Sequence, residues 1–403
     1  MRIVCVGGGP ASLYFSILMK KYDQDHSITV LERNPVGSTY GWGVTYWGDL
    51  LDKLREGDAP TARAVSEHSV RWGGGMAHIR DEVTTHRGDE GFGIGRQRLL
   101  DLLAERATDL GVRVEFGREI ESVSQLPGAE LIVAGDGVNS RLRRLHSDHF
   151  GTEVTAGRNK FIWLGTPRVF ASFTFAFVET QCGWIWFYAY RFASDLSTCI
   201  VECSEETWAG LGFDMLDESA TLTLLESIFA KQLDGQPLIN RADGGDRTLW
   251  LNFRTMTNGT WHHDNIVLLG DAAHTTHYSI GAGTTLALED AIGLAGALHR
   301  HRGLQPALAA YEQERKRALL PTQAAARYSA QWYENLPRYI HLKPARLFAL
   351  LGQRHSPLLP YVPPQLYYVA NQAVEEFTAL RKFRKWLGPK VVRTLQARRP
   401  GPL

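Results

Sequence analysis

NIVLLGDAAHTTHYSIGAGTTLALEDAIGLA, residues Asn265–Ala295, opens on a branched apolar run of strand length, Ile266–Leu269. Gly270-Asp271 follows, then a loop with His274, His277 and Tyr278, then Gly281-Ala282-Gly283. From Thr284 an Ala/Leu-rich segment with Asp290 inside it predicts a helix. A strand that runs through a glycine turn into a helix N-terminus leaves backbone N–H groups pointing outward, where the helix dipole favours negative charge. Such a turn suits an electron-rich ligand group, and Asp271 suits sugar hydroxyls. Taken alone, the stretch equally fits an ordinary strand–turn–helix crossover.

Two similar turns lie upstream. Arg2–Val6 predicts a buried strand, Gly7-Gly8-Gly9-Pro10-Ala11-Ser12 follows, and Leu13–Tyr22 has a helical pattern. The next strand, Ile28–Leu31, ends at Glu32-Arg33. This is a dinucleotide fingerprint in its proper strand–helix–strand setting. Gly7 permits the tight turn, Gly9 admits a pyrophosphate, and Ser12 is small enough to stand where a third glycine is usual. Glu32 follows by about 20 positions, in register for an adenosine ribose. Farther on, Glu130–Ala134 predicts a strand leading into Gly135-Asp136-Gly137, with Ser140 and Arg143 behind it. Asp136 there has a second reading, as a turn residue capping the next helix. Arg96 and Arg98 open a predicted helix to about Leu110. Either could reach phosphates or ribose, or bridge charges on the surface.

Between about Thr152 and Thr257 the pattern changes to long antiparallel strands, Val169–Thr180, Gly183–Phe192 and Thr198–Cys203. In the middle one, Trp184, Trp186, Tyr188 and Tyr190 share a face by period two. That face either packs on helices or walls a pocket. A helical insert, Leu216–Leu233, precedes a return strand, Leu249–Thr255. Gly37–Leu54 reads as a loop whose glycines surround aromatics, including Trp42 and Tyr46, and it either lies against a flat ligand or is a packed Ω-type loop. Val112–Phe116 and Glu119–Val123 read as strands, and Ala307–Trp332 as a long helix. The proline-broken tail ends in a basic run, Arg381, Lys382, Arg384, Lys385, Lys390, Arg393, Arg398 and Arg399. It is either a solvated terminus or an anchor for an anionic partner.

The 403 residues allow two or three domains, and 44% hydrophobic with 22% charged residues is ordinary for a soluble protein. A net charge of +1 provides no global field for nucleic acid or membrane. Cys5, Cys182, Cys199 and Cys203 form no CxxC pair, which suits reduced thiols and a cytoplasmic setting. Met1-Arg2 leads straight into a strand, so no signal peptide is expected, and no apolar run reaches membrane-spanning length. No metal-ligand spacing occurs. The oligomeric state is left open, a homo-oligomer included.

Three separated motifs thus stand in order: Gly7–Ser12 with Glu32, Gly135-Asp136-Gly137 with Ser140 and Arg143, and Gly270-Asp271 with Gly281 and Gly283. Together they resemble the single-component FAD-dependent aromatic hydroxylases of the para-hydroxybenzoate hydroxylase superfamily, over about residues 1–335. Gly41–Val44, Gly93–Leu100, Ala189–Phe192 with Ser197-Thr198, His274–Gly281 and Trp332–Asn335 are most similar to the salicylyl-CoA and aminobenzoyl-CoA hydroxylases and the violacein-pathway indole hydroxylase.

The resemblance implies an α/β fold: a discontinuous Rossmann-like FAD-binding domain (1–70, 92–151 and 258–300), an inserted antiparallel β-sheet substrate domain (71–91 and 152–257) and a helical C-terminal region (301–403). It implies FAD as cofactor, with NADPH or NADH as transient co-substrate. Gly7, Gly9, Pro10, Ala11 and Ser12 would cradle the pyrophosphate, Glu32 with Arg33 the ribose, and Arg96 or Arg98 the phosphates or ribose. Asp136 and Gly137 would shape a turn that touches both FAD and the nicotinamide nucleotide, Asp271 would bind the ribityl or pyrophosphate side, and Gly281, Ala282, Gly283, Thr284 and Thr285 would line the flavin pyrimidine edge. Tyr278 stands where the superfamily usually has proline.

The implied reaction is hydroxylation of an electron-rich aromatic or heteroaromatic ring by O2 through a flavin C4a-hydroperoxide. The substrate is an aryl-CoA-type thioester or a phenol, indole or hydroxypyridine intermediate of natural-product biosynthesis. His277, Tyr278 and Tyr190 are the candidate bases, and Trp42, Tyr46, Trp186 and Tyr188 the candidate ring walls. The related aminobenzoyl-CoA enzyme carries a further flavin domain, and without one this chain is expected to hydroxylate and not reduce the ring. Trp184-Ile-Trp186-Phe-Tyr-Ala189 approaches the Trp-x-Trp-x-Ile-Pro run of flavin-dependent halogenases but lacks Ile-Pro. A non-enzymatic FAD-binding protein is the other alternative.

Overall fold

A computed structural model describes residues 1–38, 41–240 and 250–376. The basic tail from Arg381 and the start of the expected return strand, Leu249, lie outside the described residues. The chain divides into two compact units, Met1–Arg317 and Ala318–Leu403. The break falls within the helix Leu304–Glu334, close to Pro321. That proline has no N–H for the carbonyl one turn back, at Arg317. The described part of the second unit continues with helices Pro344–Gly352 and Pro364–Glu376.

In chain order the strands are β1 (Arg2–Val6), β2 (Ser27–Leu31), β3 (Gly43–Tyr46), β4 (Val70–Ile79), β5 (Glu82–Gly95), β6 (Arg113–Glu115), β7 (Leu131–Ala134), β8 (Thr152–Thr166), β9 (Phe173–Thr180), β10 (Gly183–Arg191), β11 (Ser197–Cys203), β12 (Leu251–Asn258), β13 (His262–His263) and β14 (Ile266–Leu268). Among the described residues they form two sheets. The six-stranded sheet has the order β13-β14-β7-β1-β2-β6, and all but β13 run parallel. Ile3, Cys5, Val30, Leu131 and Val133 are wholly buried, the continuous apolar filling that a parallel sheet covered on both faces requires. From β1 the chain builds outward to β2 and β6, then returns to the other side with β7 and β14. The crevice beyond the C-terminal ends of β1 and β7 is therefore the topological switch point, where open α/β sheets bind ligands.

The eight-stranded sheet has the order β12-β8-β11-β10-β9-β4-β5-β3. Its back face, with Ile162, Leu164, Ile185, Phe187, Cys199 and Val201, packs on Leu225, Phe229 and Leu233 from the helical insert and on Phe213 just before it. Trp186, Tyr188 and Tyr190 alternate with these residues, so they occupy the opposite, front face.

Several expectations need correction. Gly37–Leu54 is not one loop: Gly43–Tyr46 is a strand of the large sheet and Gly48–Gly57 is a helix. A Cβ on Gly43 would lie 2.3 Å from Phe192, and one on Gly165 would lie 2.5 Å from Trp42. These glycines admit protein rings. Glu119–Val123 forms no strand. The longest strand, β8, lies where none was expected, because its first half is solvent-facing and polar and shows no apolar alternation.

Candidate active site

The three glycine turns meet at the switch point. Gly7, at φ +98°, leaves no room for a side chain, since a Cβ there would stand 2.7 Å from Asp136 Cα. Gly135 is held as closely by Ser12, whose Oγ occupies the space of a Cβ at 2.1 Å. Ser12 is thus small for the packing reason that makes glycine usual there. Gly270, at φ +62°, backs onto Ala11 and Ala287. Arg143, a buried guanidinium, donates to Val138 O at 2.6 Å and to Ala272 O at 3.0 Å, tying the second turn to the third. Asn258 Nδ2 donates to Ala273 O at 2.6 Å, and Thr275 Oγ1 accepts from Met256 N at 2.8 Å. The third turn is therefore held by the helix that follows the second turn and by β12 of the large sheet.

Glu32 reaches back to the first turn. Its Oε2 accepts from Gly8 N at 2.6 Å and its Oε1 from Asn34 N at 2.9 Å. Arg33 is exposed beside it. Asp136 fills both readings of its sequence. Its Oδ2 accepts from Arg141 N at 2.7 Å, holding the next helix, while its Oδ1 is buried without a hydrogen-bond partner.

The two arginines of the Arg96–Asp109 helix separate. Arg98 is exposed and donates to His68 Nε2 at 2.7 Å. Arg96 faces Asp271; burial lowers its pKa and the carboxylate opposes that shift. Burial raises the Asp271 carboxyl, with Arg96 and His274 pulling it back. Asp271 still opens to water on one side, as a residue on the floor of a cleft does.

Behind this floor lies a buried ionic chain that sequence reading did not place. His274 Nε2 meets Asp290 Oδ2 at 2.7 Å, and Arg315 Nε donates to Asp290 Oδ1 at 2.8 Å. Burial alone would raise the Asp290 carboxyl, but His274 and Arg315 outweigh it and hold it low. An acid inside an Ala/Leu helical stripe was the signal for this partner.

Two helices that end at the crevice, Pro10–Tyr22 and Gly283–Arg300, lack a side-chain cap, with Gly9 and Ala282 at their N-caps. Asp58, Ser140, Ser204 and Asp217 cap other helices, while Gly48–Gly57, Arg96–Asp109 and Pro344–Gly352 also lack a side-chain cap. Uncapped N–H groups want an external acceptor. A Cβ on Gly137 or Gly283 would meet nothing within 4 Å, and Thr285 Oγ1 is buried without a partner. Thr284 is half-buried beside it. Open glycine faces, two uncapped helices and orphaned oxygens fit a large polyanionic, polyhydroxylated group such as FAD.

The loop after Asp271 carries the site onto the front face of the large sheet. The Tyr278 ring lies 4.4 Å from Phe161, 5.6 Å from Phe253 and 6.1 Å from Tyr188. His277 Nδ1 accepts from Ser279 N at 3.3 Å and lies 2.8 Å from Ser279 Oγ, so the neutral ring carries its proton on Nε2. Tyr188 and Tyr190 stack on Phe173, and Trp186 stacks on Phe177. Tyr190 is committed elsewhere: its hydroxyl donates to Gly43 O at 2.9 Å, and burial raises its pKa. Tyr46 likewise gives its hydroxyl to Ser69 Oγ at 2.5 Å and stacks on Phe92, and Trp42 packs over Gly165.

Comparison with known proteins agrees with this geometry. Residues 128–325 match the FAD binding domain family. The chain is 36% identical over 349 residues to salicyloyl-CoA 5-hydroxylase of Streptomyces sp, a match spanning 84% of this chain and 66% of that relative. It is 33% identical over 337 residues to the 3-hydroxy-4-methyl-anthranilyl-[aryl-carrier protein] 5-monooxygenase of Streptosporangium sibiricum, covering 84% and 90%. In fold it resembles the tetrameric form of 2-methyl-3-hydroxypyridine-5-carboxylic acid oxygenase, with TM-score 0.66, 18% identity and coverage of 88% and 96%. These relatives are named for oxygenation and not halogenation. The chain belongs to the FAD-dependent aromatic monooxygenases.

Proposed function

We propose that this monooxygenase hydroxylates a benzoyl-type ring bearing an activating hydroxyl or amino group and carried through its carboxyl on coenzyme A or a carrier protein. The observation that carries the reading is Tyr278. It joins the aromatic front face of the large sheet to the loop between Asp271 and the uncapped helix at Ala282. One loop thus serves a cofactor cradle and an aromatic chamber. The two relatives above, named for a CoA and a carrier-protein conjugate, support the substrate class.

The first turn, Gly7 to Ser12, is assigned the FAD pyrophosphate, with Arg96 beside it. Glu32 exchanges the Gly8 N–H for ribose hydroxyls, with Arg33 at the rim. Asp136 Oδ1, Gly137 and Asp271 take the ribityl side. The N–H groups from Gly281 to Thr285 face the pyrimidine edge, where they favour negative charge. Bound FAD supplies the redox chemistry with O2 and with NADH or NADPH. The chain's own work is to orient the ring and exclude water. Trp186, Tyr188 and Tyr278 supply the walls, and His277, with its proton on Nε2, stands beside them. We also propose a cytoplasmic enzyme, in keeping with four free thiols.

The test is reductant consumption and product mass with salicyloyl-CoA and anthraniloyl-CoA against the free acids. The reading expects one added oxygen on the thioesters. Turnover confined to free phenols, indoles or hydroxypyridines would contradict it.

A further inference from the structure

One acid in the large sheet belongs to none of the turns described above. Glu202 is 1% exposed, in a strand, Ser197–Cys203, that is buried throughout. Its direct neighbours in register are Trp186 on β10 and Phe161 on β8. Opposed residues of antiparallel strands share a face, so Glu202 stands on the aromatic front face, away from the helical insert. Phe161 on one side and Tyr188, diagonal to Glu202 on the other, are the rings that meet Tyr278. The carboxylate therefore sits within the ring of aromatic side chains proposed as the substrate chamber. Its Oε1 accepts from Asn159 Nδ2 at 2.7 Å, and Asn159 is itself buried.

Taking a carboxylate out of water among aromatic rings is costly before any compensation. Packing alone would be served as well by an apolar or amide side chain. A buried acid in an otherwise uncharged strand, facing the aromatic rings that meet Tyr278, is a functional-site candidate. The other candidates for the same work are weaker. The Tyr190 hydroxyl is spent on Gly43 O, and His277 Nδ1 is held by Ser279.

We propose that Glu202 is the acceptor for the activating O–H or N–H of the aromatic substrate, with Asn159 fixing the carboxylate's orientation. The inference rests on the hydroxylase reading of this site. For a phenol, the O–H proton passes to a Glu202 oxygen and its bonding pair stays on the substrate oxygen, which enriches the ring ortho and para to it. After oxygen transfer the ring carbon releases its proton to water. The Glu202 proton returns to the phenolic oxygen, leaving a neutral phenol and a carboxylate.

The FAD-loaded protein is titrated with four probes: the pantetheine thioesters of salicylate and benzoate, salicylamide and benzamide. Binding is followed by the change in flavin absorbance. Preference for the hydroxylated ring reports on Glu202, while preference for the thioester reports on the substrate class, so the two ideas fail on different axes. Wild type is expected to favour the hydroxylated ring by about tenfold or more. Glu202→Leu should abolish that preference without changing the thioester preference. Glu202→Gln keeps an acceptor and loses the base. It should consume reductant but release hydrogen peroxide, with hydroxylation down about a hundredfold and the acidic limb of its pH profile gone. Should Glu202→Leu not fold, Glu202→Gln decides. Retained hydroxyl preference in Glu202→Leu, a wild-type pH profile in Glu202→Gln, or no binding of any probe to wild type would overturn the assignment.

Discussion

A Cβ on Gly7 would stand 2.4 Å from the carbonyl oxygen of Gly135. The first and second glycine turns, 128 positions apart in the chain, touch across the ends of neighbouring parallel strands. Gly7→Ala meets both this overlap and a left-handed backbone angle. We expect it to lower stability by about 3 kcal/mol and to yield protein without FAD. Thermal melting and flavin content of the purified variant check this. Normal flavin content would mean that the contact does not shape the cradle.

Arg96 and Arg98, two positions apart at one helix start, should behave differently. Arg96→Met removes the cation facing Asp271 and should weaken FAD binding by about tenfold to a hundredfold. Arg98→Met removes only a surface bond to His68 and should leave FAD affinity within about twofold. Fluorescence titration of apoprotein with FAD separates the two.

The cofactor sheet has a charged hub outside the crevice. Asp58 caps the helix Ala59–Glu67, receives both Arg106 Nε and Nη2 at 2.9 Å, and lies 3.2 Å from Lys21. Burial alone would raise its carboxyl, but Arg106, Thr61 and Lys21 outweigh that and lower it from 3.8 to about 2. A depressed folded-state pKa contributes stability above the unfolded value and loses it as pH falls through the folded one. About 2 kcal/mol should therefore disappear between about pH 4 and about pH 2. Asp58→Asn should remove that acid-side slope and cost about 3 kcal/mol at neutral pH. Urea midpoints across the acid range measure both.

Tyr190→Phe should lower stability by about 1 kcal/mol, the worth of its bond to Gly43 O. Hydroxylation and its pH profile should be unchanged, because that hydroxyl is already spent. Loss of the limb on which activity rises with pH would reinstate Tyr190 as a base.

Much of this fold was legible because each turn carried its own local signature. Gly7, Gly135 and Gly270 adjoin strands whose apolar filling marks them as parallel and buried, and Glu32 stood in register with the first. Side-chain direction was not legible. Period two put Trp186, Tyr188 and Tyr190 on one face, but which face met the helices depended on β8, β9 and the insert together. Arg96 and Arg98 were equivalent in sequence because helix phase relative to a distant Asp271 is a tertiary property. The glycines around Trp42 looked like ligand contacts, and they are seats for Phe192 and for Trp42 itself. Glu202 was hidden by the same logic: a lone acid in a strand reads as solvent-facing until its register partners are known.

One FAD per chain is the expected occupant of the crevice where these turns meet. The most direct measurement is the flavin content of the purified chain, before and after incubation with excess FAD and gel filtration. Close to one FAD per chain, with absorbance bleached by NADH or NADPH under anaerobic conditions, is the predicted result. A colourless protein that retains no flavin after reconstitution would contradict it.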